Sequence, residues 1–210
     1  MTPSVTGADT RERILAAAVR RIASEGIDGV RIARIAMDAG VSSSLVHYHF
    51  DTREELLAQA LAWSYEHVGT QRAEIDQDAD ATHAQRLGRI VDQCLPLTAE
   101  LREDWVVWME LWLRAVRHPE LGPVAEELYA RLHDWFADEI AAGIADGEFG
   151  PCDAAEVADR TLSMCDGLGV RHVIGDTTIS LDVARAIVTA SLSRDLGIEQ
   201  HRLDSTVSVP

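Results

Sequence analysis

The chain contains no lysine, so all 19 of its basic side chains other than histidine are arginines. That leaves the planar guanidinium fork, which suits bidentate contacts to phosphate and carboxylate, although a biased base composition would leave the same mark. No run approaches the roughly 20 apolar residues a membrane-spanning helix needs. The start, MTPSVTGADTRER, has no apolar signal core, so the cytoplasm is the expected compartment and no membrane partner is expected. Cys94, Cys152 and Cys165 are odd in number and show no C-x-x-C spacing, which excludes a disulfide frame or zinc site and leaves reduced, buried thiols. A nucleophile elbow, a P-loop, a dinucleotide fingerprint and a His/Cys cluster with ligand spacing are all missing. These absences argue against an enzyme, and no cofactor or metal is expected. No stretch alternates apolar and polar residues well enough to propose a sheet.

What is present is acid and helical periodicity. The 210 residues are 47% hydrophobic and carry a net charge of −16, enough apolar content for one good core or two small ones. A strongly acidic chain is a poor candidate for binding nucleic acid, yet the charge is segregated. Residues 1–53 hold seven Arg against six acids, whereas residues 54–210 hold twelve Arg against twenty-nine. The N-terminal segment is therefore close to neutral and free to meet phosphates.

Apolar spacing predicts an all-α protein of about nine helices. The first runs from about Thr10 to Ser24, with Ile14, Leu15, Ala18 and Ile22 on one face and Gly26 as its terminator. Short helices follow over about 32–39 and 43–48. The TREE sequence, Thr52 to Glu55, then reads as a capping box opening a longer helix through Leu56, Leu57, Ala60, Leu61 and Tyr65. AEIDQDADATH interrupts the pattern. Further helices are predicted over about 85–96, 101–116, 121–145, 153–174 and 181–196, separated by HPELGP, DGEFGPCD and GDTTIS.

The stretch VSSSLVHYHF, Val41 to Phe50, is unusually polar for this chain. With IARIAMDAG before it, the spacing fits two helices crossing steeply over a tight turn. Ala36 permits close approach, Gly40 takes a left-handed conformation, and Val46 plugs the space between the helices. Ser42 is the N-cap, while Ile35, Val41, Val46 and Phe50 face inward. Ser43, Ser44, His47 and Tyr48 then face out, with His49 near the end, a surface suited to a DNA major groove. His47 and His49 lie about 200° apart around a helix and cannot share a metal. A capped corner with solvated polar residues is the plainer alternative for this segment alone.

Residues 11–61, through GIDGVRIARIAMDAGVSSSLVHYHFDTREELL, resemble the DNA-binding domain of the TetR family of transcriptional regulators. GEFGPCDAAEVADRTLSMCDGLGVRHVIGD is similar to the C-terminal domain of that family, more loosely to the betaine-pathway repressor type. The resemblance implies a homodimer on partly palindromic double-stranded operator DNA, released when a small-molecule effector enters the C-terminal domain. It places Ser42, Ser43, Ser44, His47 and Tyr48 at bases and nearby phosphates and Arg53 on the DNA backbone. Arg31, where the family often has Thr, and His47, where Tyr is common, depart from its pattern; Arg31 and His49 complete the expected DNA-binding set. The implied division is a disordered start over 1–9, a helix-turn-helix DNA-binding domain over 10–53, a ligand-binding and dimerisation domain over 54–197, and a frayed tail over 198–210.

Two further patterns concern the C-terminal half. Ala154, Ala158, Cys165 and Gly169 on one helix, with Leu181, Ala184, Val188 and Leu192 on the next, could make a four-helix dimer interface or close the subunit core. Trp105, Trp108 and Trp112 share one helical face; core packing is the plainer reading. The sharper one is a ligand wall with Met109, Tyr129, His133 and Asp166, suited to an organic cation, with Asp104 and Glu110 as further carboxylates, or else to a neutral apolar ligand. The expected function is a ligand-responsive repressor. The alternative is a ligand-binding or sequestering helical protein without operator binding.

Overall fold

The computed structural model describes residues 7–76, 78–117 and 121–204. Among them are nine α-helices and no strand: α1 (Gly7–Gly29), α2 (Ile32–Ala39), α3 (Ser43–His49), α4 (Arg53–Asp76), α5 (His83–Gln93), α6 (Ala99–Ala115), α7 (Gly122–Ala145), α8 (Ala154–Val173) and α9 (Leu181–Leu196). A short 3-10 helix, Gln200–Leu203, follows. The all-α expectation is met, and no described helix is long and apolar enough to cross a membrane. The chain divides into two compact units, Met1–Gly69 with Val106–Ala125, and Thr70–Trp105 with Glu126–Pro210.

In the first unit, Ile14, Leu15, Ala18 and Ile22 of α1 are buried, as their spacing predicts. Helix α2 turns Ile35, Ala36 and Ala39 inward, α3 contributes Val46, and α4 adds Leu56, Leu57, Ala60 and Leu61. Each large aliphatic side chain so buried contributes about 1.5–3 kcal/mol. Val41, expected inside, is only half-buried. Gly40 takes φ 66° and ψ 37°, and its amide donates to the carbonyls of Ala36 and Met37, which ends α2 and turns the chain toward α3. Glu55 donates its amide to the Thr52 hydroxyl at 3.0 Å, but its carboxylate accepts from the amide of Asp51 at 2.9 Å. The cap thus reaches one residue further back than a reciprocal capping box would.

Several boundaries differ from expectation. Residues 7–9, expected to be disordered, belong to α1, which also continues past Ser24 to Gly29, so Gly26 (φ 68°, ψ 158°) is a kink rather than a terminator. Ile27 and Val30 are buried beyond the kink, which draws the extra turn back onto the core. Helix α4 runs four residues into the expected interruption, to Asp76, and α5 begins at His83, so the break falls inside that stretch. The break comes at Asp78, whose carboxylate accepts from Arg89 at 2.7 Å.

The second unit is held at its helix ends by side chains. Thr82 and Gln85 form a reciprocal capping box on α5. The Glu148 carboxylate accepts from the amides of His83 and Ala84 and from Arg202. The His83 imidazole lies 2.6 Å from Glu139 and 3.0 Å from Asp146, joining α5 to α7 and the turn after it. Asp153 and Ser180 cap α8 and α9. The tail expected to fray from residue 198 is ordered to 204 because Leu203 is buried. Its carbonyl lies where a Cβ on Gly88 would approach to 2.0 Å, and it accepts from Arg185 at 3.1 Å. Residues 205–210 and 1–6 lie outside the described residues. Cys94 and Cys165 are buried, Cys152 is half-buried, and burial pushes all three thiols up.

Gly40→Val is expected to cost about 1–3 kcal/mol, since a β-branched residue at φ 66° is strained. Urea denaturation followed by circular dichroism measures this loss directly.

Candidate nucleic-acid interface and ligand groove

Helix α3 has one fully buried residue, Val46, and turns the rest of its surface outward. Ser42 caps it by accepting from the Leu45 amide at 3.2 Å while staying exposed, and Phe50 is buried just past its end. Ser43, Ser44 and His47 are exposed, and Tyr48 is 81% exposed. His49 is half-buried and stands edge-on to Tyr48, with ring centroids 5.3 Å apart. The sequence-predicted set Ser42, Ser43, Ser44, His47 and Tyr48 is thus gathered on one short helix and its N-cap; only the Ser42 hydroxyl has a structural task there, the cap itself. Arg31, exposed and in an extended conformation, precedes the first turn of α2.

The nearby acids are largely occupied. Arg21 donates to both oxygens of Asp38, at 2.5 and 2.8 Å, and to Glu25 at 2.5 Å, while Arg34 also reaches Glu25 at 2.9 Å. Hydrogen bonds from Arg21 hold the Asp38 and Glu25 carboxyls below the usual range, against an opposing contribution from burial. Arg53 is placed differently from the exposed α3 side chains. Its guanidinium donates to the carbonyls of Ile27 (2.6 Å) and Val30 (3.2 Å) at the end of α1.

In the second unit, a groove of about 460 Å³ lies between α7 and α8. Glu126, Tyr129, Ala130 and His133 line it from α7, and Asp159, Leu162, Ser163 and Asp166 from α8. The Tyr129 hydroxyl donates to Asp166 at 2.9 Å, and His133 Nε2 lies 3.8 Å from Asp159. Burial pushes the Asp166 carboxyl up, opposed by the Tyr129 hydrogen bond. Burial, reinforced by the neighbouring Asp166, also raises the Tyr129 hydroxyl. Three carboxyl groups, a phenol ring and an imidazole thus face one groove.

The groove brings together Tyr129, His133 and Asp166 of the expected ligand wall. Trp105 is 1% exposed in the same unit, its ring lying over Gly169, as core packing requires. Trp108, Met109 and Trp112 belong to the first unit, where the Glu110 carboxylate stands beside Gly26. Sequence reasoning missed Glu126, Asp159 and Ser163. Their signal was the matched i, i+3, i+4, i+7 spacing of 126, 129, 130, 133 and 159, 162, 163, 166. Of the two readings of the α8 and α9 stripes, closure of the subunit core is the one that burial favours. Ala158, Cys165 and Gly169 on α8, with Ala184, Val188 and Leu192 on α9, are buried within the subunit. Val183, Ile187 and Ile174 are the large apolar side chains exposed on or beside these helices.

Two short helices crossing over a left-handed glycine, with polar side chains projecting from the second, define a helix-turn-helix DNA-binding protein. Residues 14–60 match the profile of bacterial regulatory proteins of the tetR family, and residues 83–197, more than half the chain, match that of the C-terminal domain of BetI-type transcriptional repressors. The chain belongs to the TetR family of transcriptional regulators, with a C-terminal domain of the BetI type, a family of regulators and not enzymes. The HTH-type transcriptional regulator BetI of Brucella melitensis biotype 2 is 26% identical over 167 residues, covering 79% of this chain and 80% of that one. Among solved structures, a transcriptional regulator from Saccharomonospora viridis in complex with choline is 31% identical, with TM-score 0.79 over 90% of this chain and 98% of that one. A TetR-family regulator from Rhodococcus sp. is 28% identical, with TM-score 0.77 over 90% and 99%.

His47→Ala and Tyr48→Ala are each expected to weaken specific DNA binding by about 1–3 kcal/mol, the range for one base-edge contact. Stability should change by no more than about 0.5 kcal/mol. Gel-shift titration beside thermal melting separates the two effects; a Tyr48→Ala chain that unfolds while retaining affinity per folded molecule would reverse the assigned faces.

Proposed function

We propose that this chain is a cytoplasmic homodimeric repressor that reads a partly palindromic operator with α3 and is released by an organic cation. The observation that carries the DNA reading is the exposed Ser43, Ser44, His47, Tyr48 face on a helix anchored from within by Val46. Ser42, His49 and Arg31 border that face. One such helix covers only a few base pairs, so affinity and half-site spacing require a second copy. The exposed Val183, Ile187 and Ile174 offer apolar area for that pairing.

The cation reading rests on the groove lined by Tyr129, His133 and Asp166 together with Glu126 and Asp159. The choline complex of the Saccharomonospora viridis protein supports the ligand class. Trp105 serves the core and, close to α8 through Gly169, reports on changes there.

Two measurements test the reading. Selection from a random duplex pool, followed by footprinting, should yield two related half-sites, and sedimentation should give twice the chain mass. A monomer without a footprint would favour the sequestering alternative. Separately, choline, a polyamine and a neutral isostere of choline are titrated by calorimetry and tryptophan fluorescence. Cations should bind in preference, and Asp166→Asn should weaken them by about 1.5–3 kcal/mol, the contribution of a charged partner. Equal binding of the neutral isostere would remove the cation from the proposal.

A further inference from the structure

The last turn of α1 presents carbonyls at a helix end, where the final four lack intrahelical donors. Gly26 kinks the helix just before them. Arg53, the first residue of α4, meets this turn with its guanidinium. Nη2 donates to the Ile27 carbonyl at 2.6 Å and reaches the Asp28 carbonyl at 3.5 Å, while Nε donates to the Val30 carbonyl at 3.2 Å. Nη1 stands 3.6 Å from Glu54, and the side chain is 30% exposed. A cation at a helix C-terminus is favoured by the backbone dipoles, and only a planar fork can address two carbonyls from separate nitrogens. The held Val30 carbonyl directly precedes Arg31, whose own carbonyl accepts from the amides of Arg34 and Ile35 to start α2. Asp28 in the same turn is paired with Arg114 of α6.

We propose that Arg53 is a positioning residue for DNA reading rather than a phosphate contact. It fixes the turn from Ile27 to Val30, and through that turn the start of α2 and the direction of Arg31. The proposal rests on the DNA-binding reading above, and its test separates the two. Arg53→Lys keeps the charge but loses the fork; Arg53→Met loses both. In the full chain, binding to the duplex selected from the random pool is measured across a range of salt concentration, and backbone amide exchange is measured without DNA.

Both variants should bind about tenfold more weakly than the unmodified chain, the loss expected for charge-assisted hydrogen bonds. Both should keep its dependence of log K on log salt. Amides of residues 27–35 should exchange faster in the free protein. A phosphate contact predicts the opposite pattern: Arg53→Lys binds normally, and Arg53→Met loses about 0.9 from the salt slope. Either that pattern or unchanged exchange overturns the proposal. If Arg53→Met fails to fold, as circular dichroism would show, Arg53→Lys alone decides between the patterns. Failure of the unmodified chain to bind the duplex would instead overturn the DNA reading, and the exchange measurement would still judge the clamp.

Discussion

Helices pack through apolar stripes that tolerate sliding, and in this molecule the directional restraint at several junctions comes from an arginine. Arg21 of α1 grips Asp38 of α2 and Arg34 of α2 reaches Glu25 of α1, Arg53 holds the end of α1 from α4, and Arg185 joins Asp92 of α5 to the carbonyl of Leu203. Arg86 adds a contact from α5 to Glu139 of α7. A solvent-exposed ion pair contributes only about 0–1 kcal/mol. The value of these forks lies in geometry: a planar donor set meets its acceptors in few orientations, so each junction has one register.

The same chemistry lets an acidic chain approach DNA. Arginines neutralise Asp38 and Glu25 close to the reading helices. The excess acid lies further along the chain, where the α7–α8 groove gathers Glu126, Asp159 and Asp166. One sequence thereby supplies a near-neutral segment that polyanionic DNA can meet and keeps its excess acid apart from that segment along the chain.

Much of this was legible in the sequence because helical periodicity is a local property. The buried face of α1, the left-handed Gly40, the Ser42 cap and the outward serines follow from residues a few positions apart. Periodicity also identified Ala184, Val188 and Leu192 as an apolar face, but it cannot say whether such a face meets its own subunit or another copy. The groove was missed as a unit because it needs two helices laid side by side; Tyr129, His133 and Asp166 were legible singly, but not Glu126 and Asp159 as their neighbours. Leu203 gave no local signal either, since its burial depends on a glycine more than a hundred residues earlier, Gly88. Arg53 was legible as a cation, but its direction depends on where α1 ends, and the kink at Gly26 moved that end by a turn.

The single internal anchor of α3 also bears on how such a protein changes over generations. Positions 43, 44, 47 and 48 touch little of the core, so most substitutions there alter stability by no more than about 0.5 kcal/mol. A duplicated gene could therefore drift toward a new DNA address one residue at a time, without first acquiring compensating stability elsewhere. Ala36, Gly40 and Val46, which hold the corner in shape, have no such freedom. Recognition is the evolvable part of this unit and the corner beneath it the inherited one, a division set by which way seven residues of one helix happen to face.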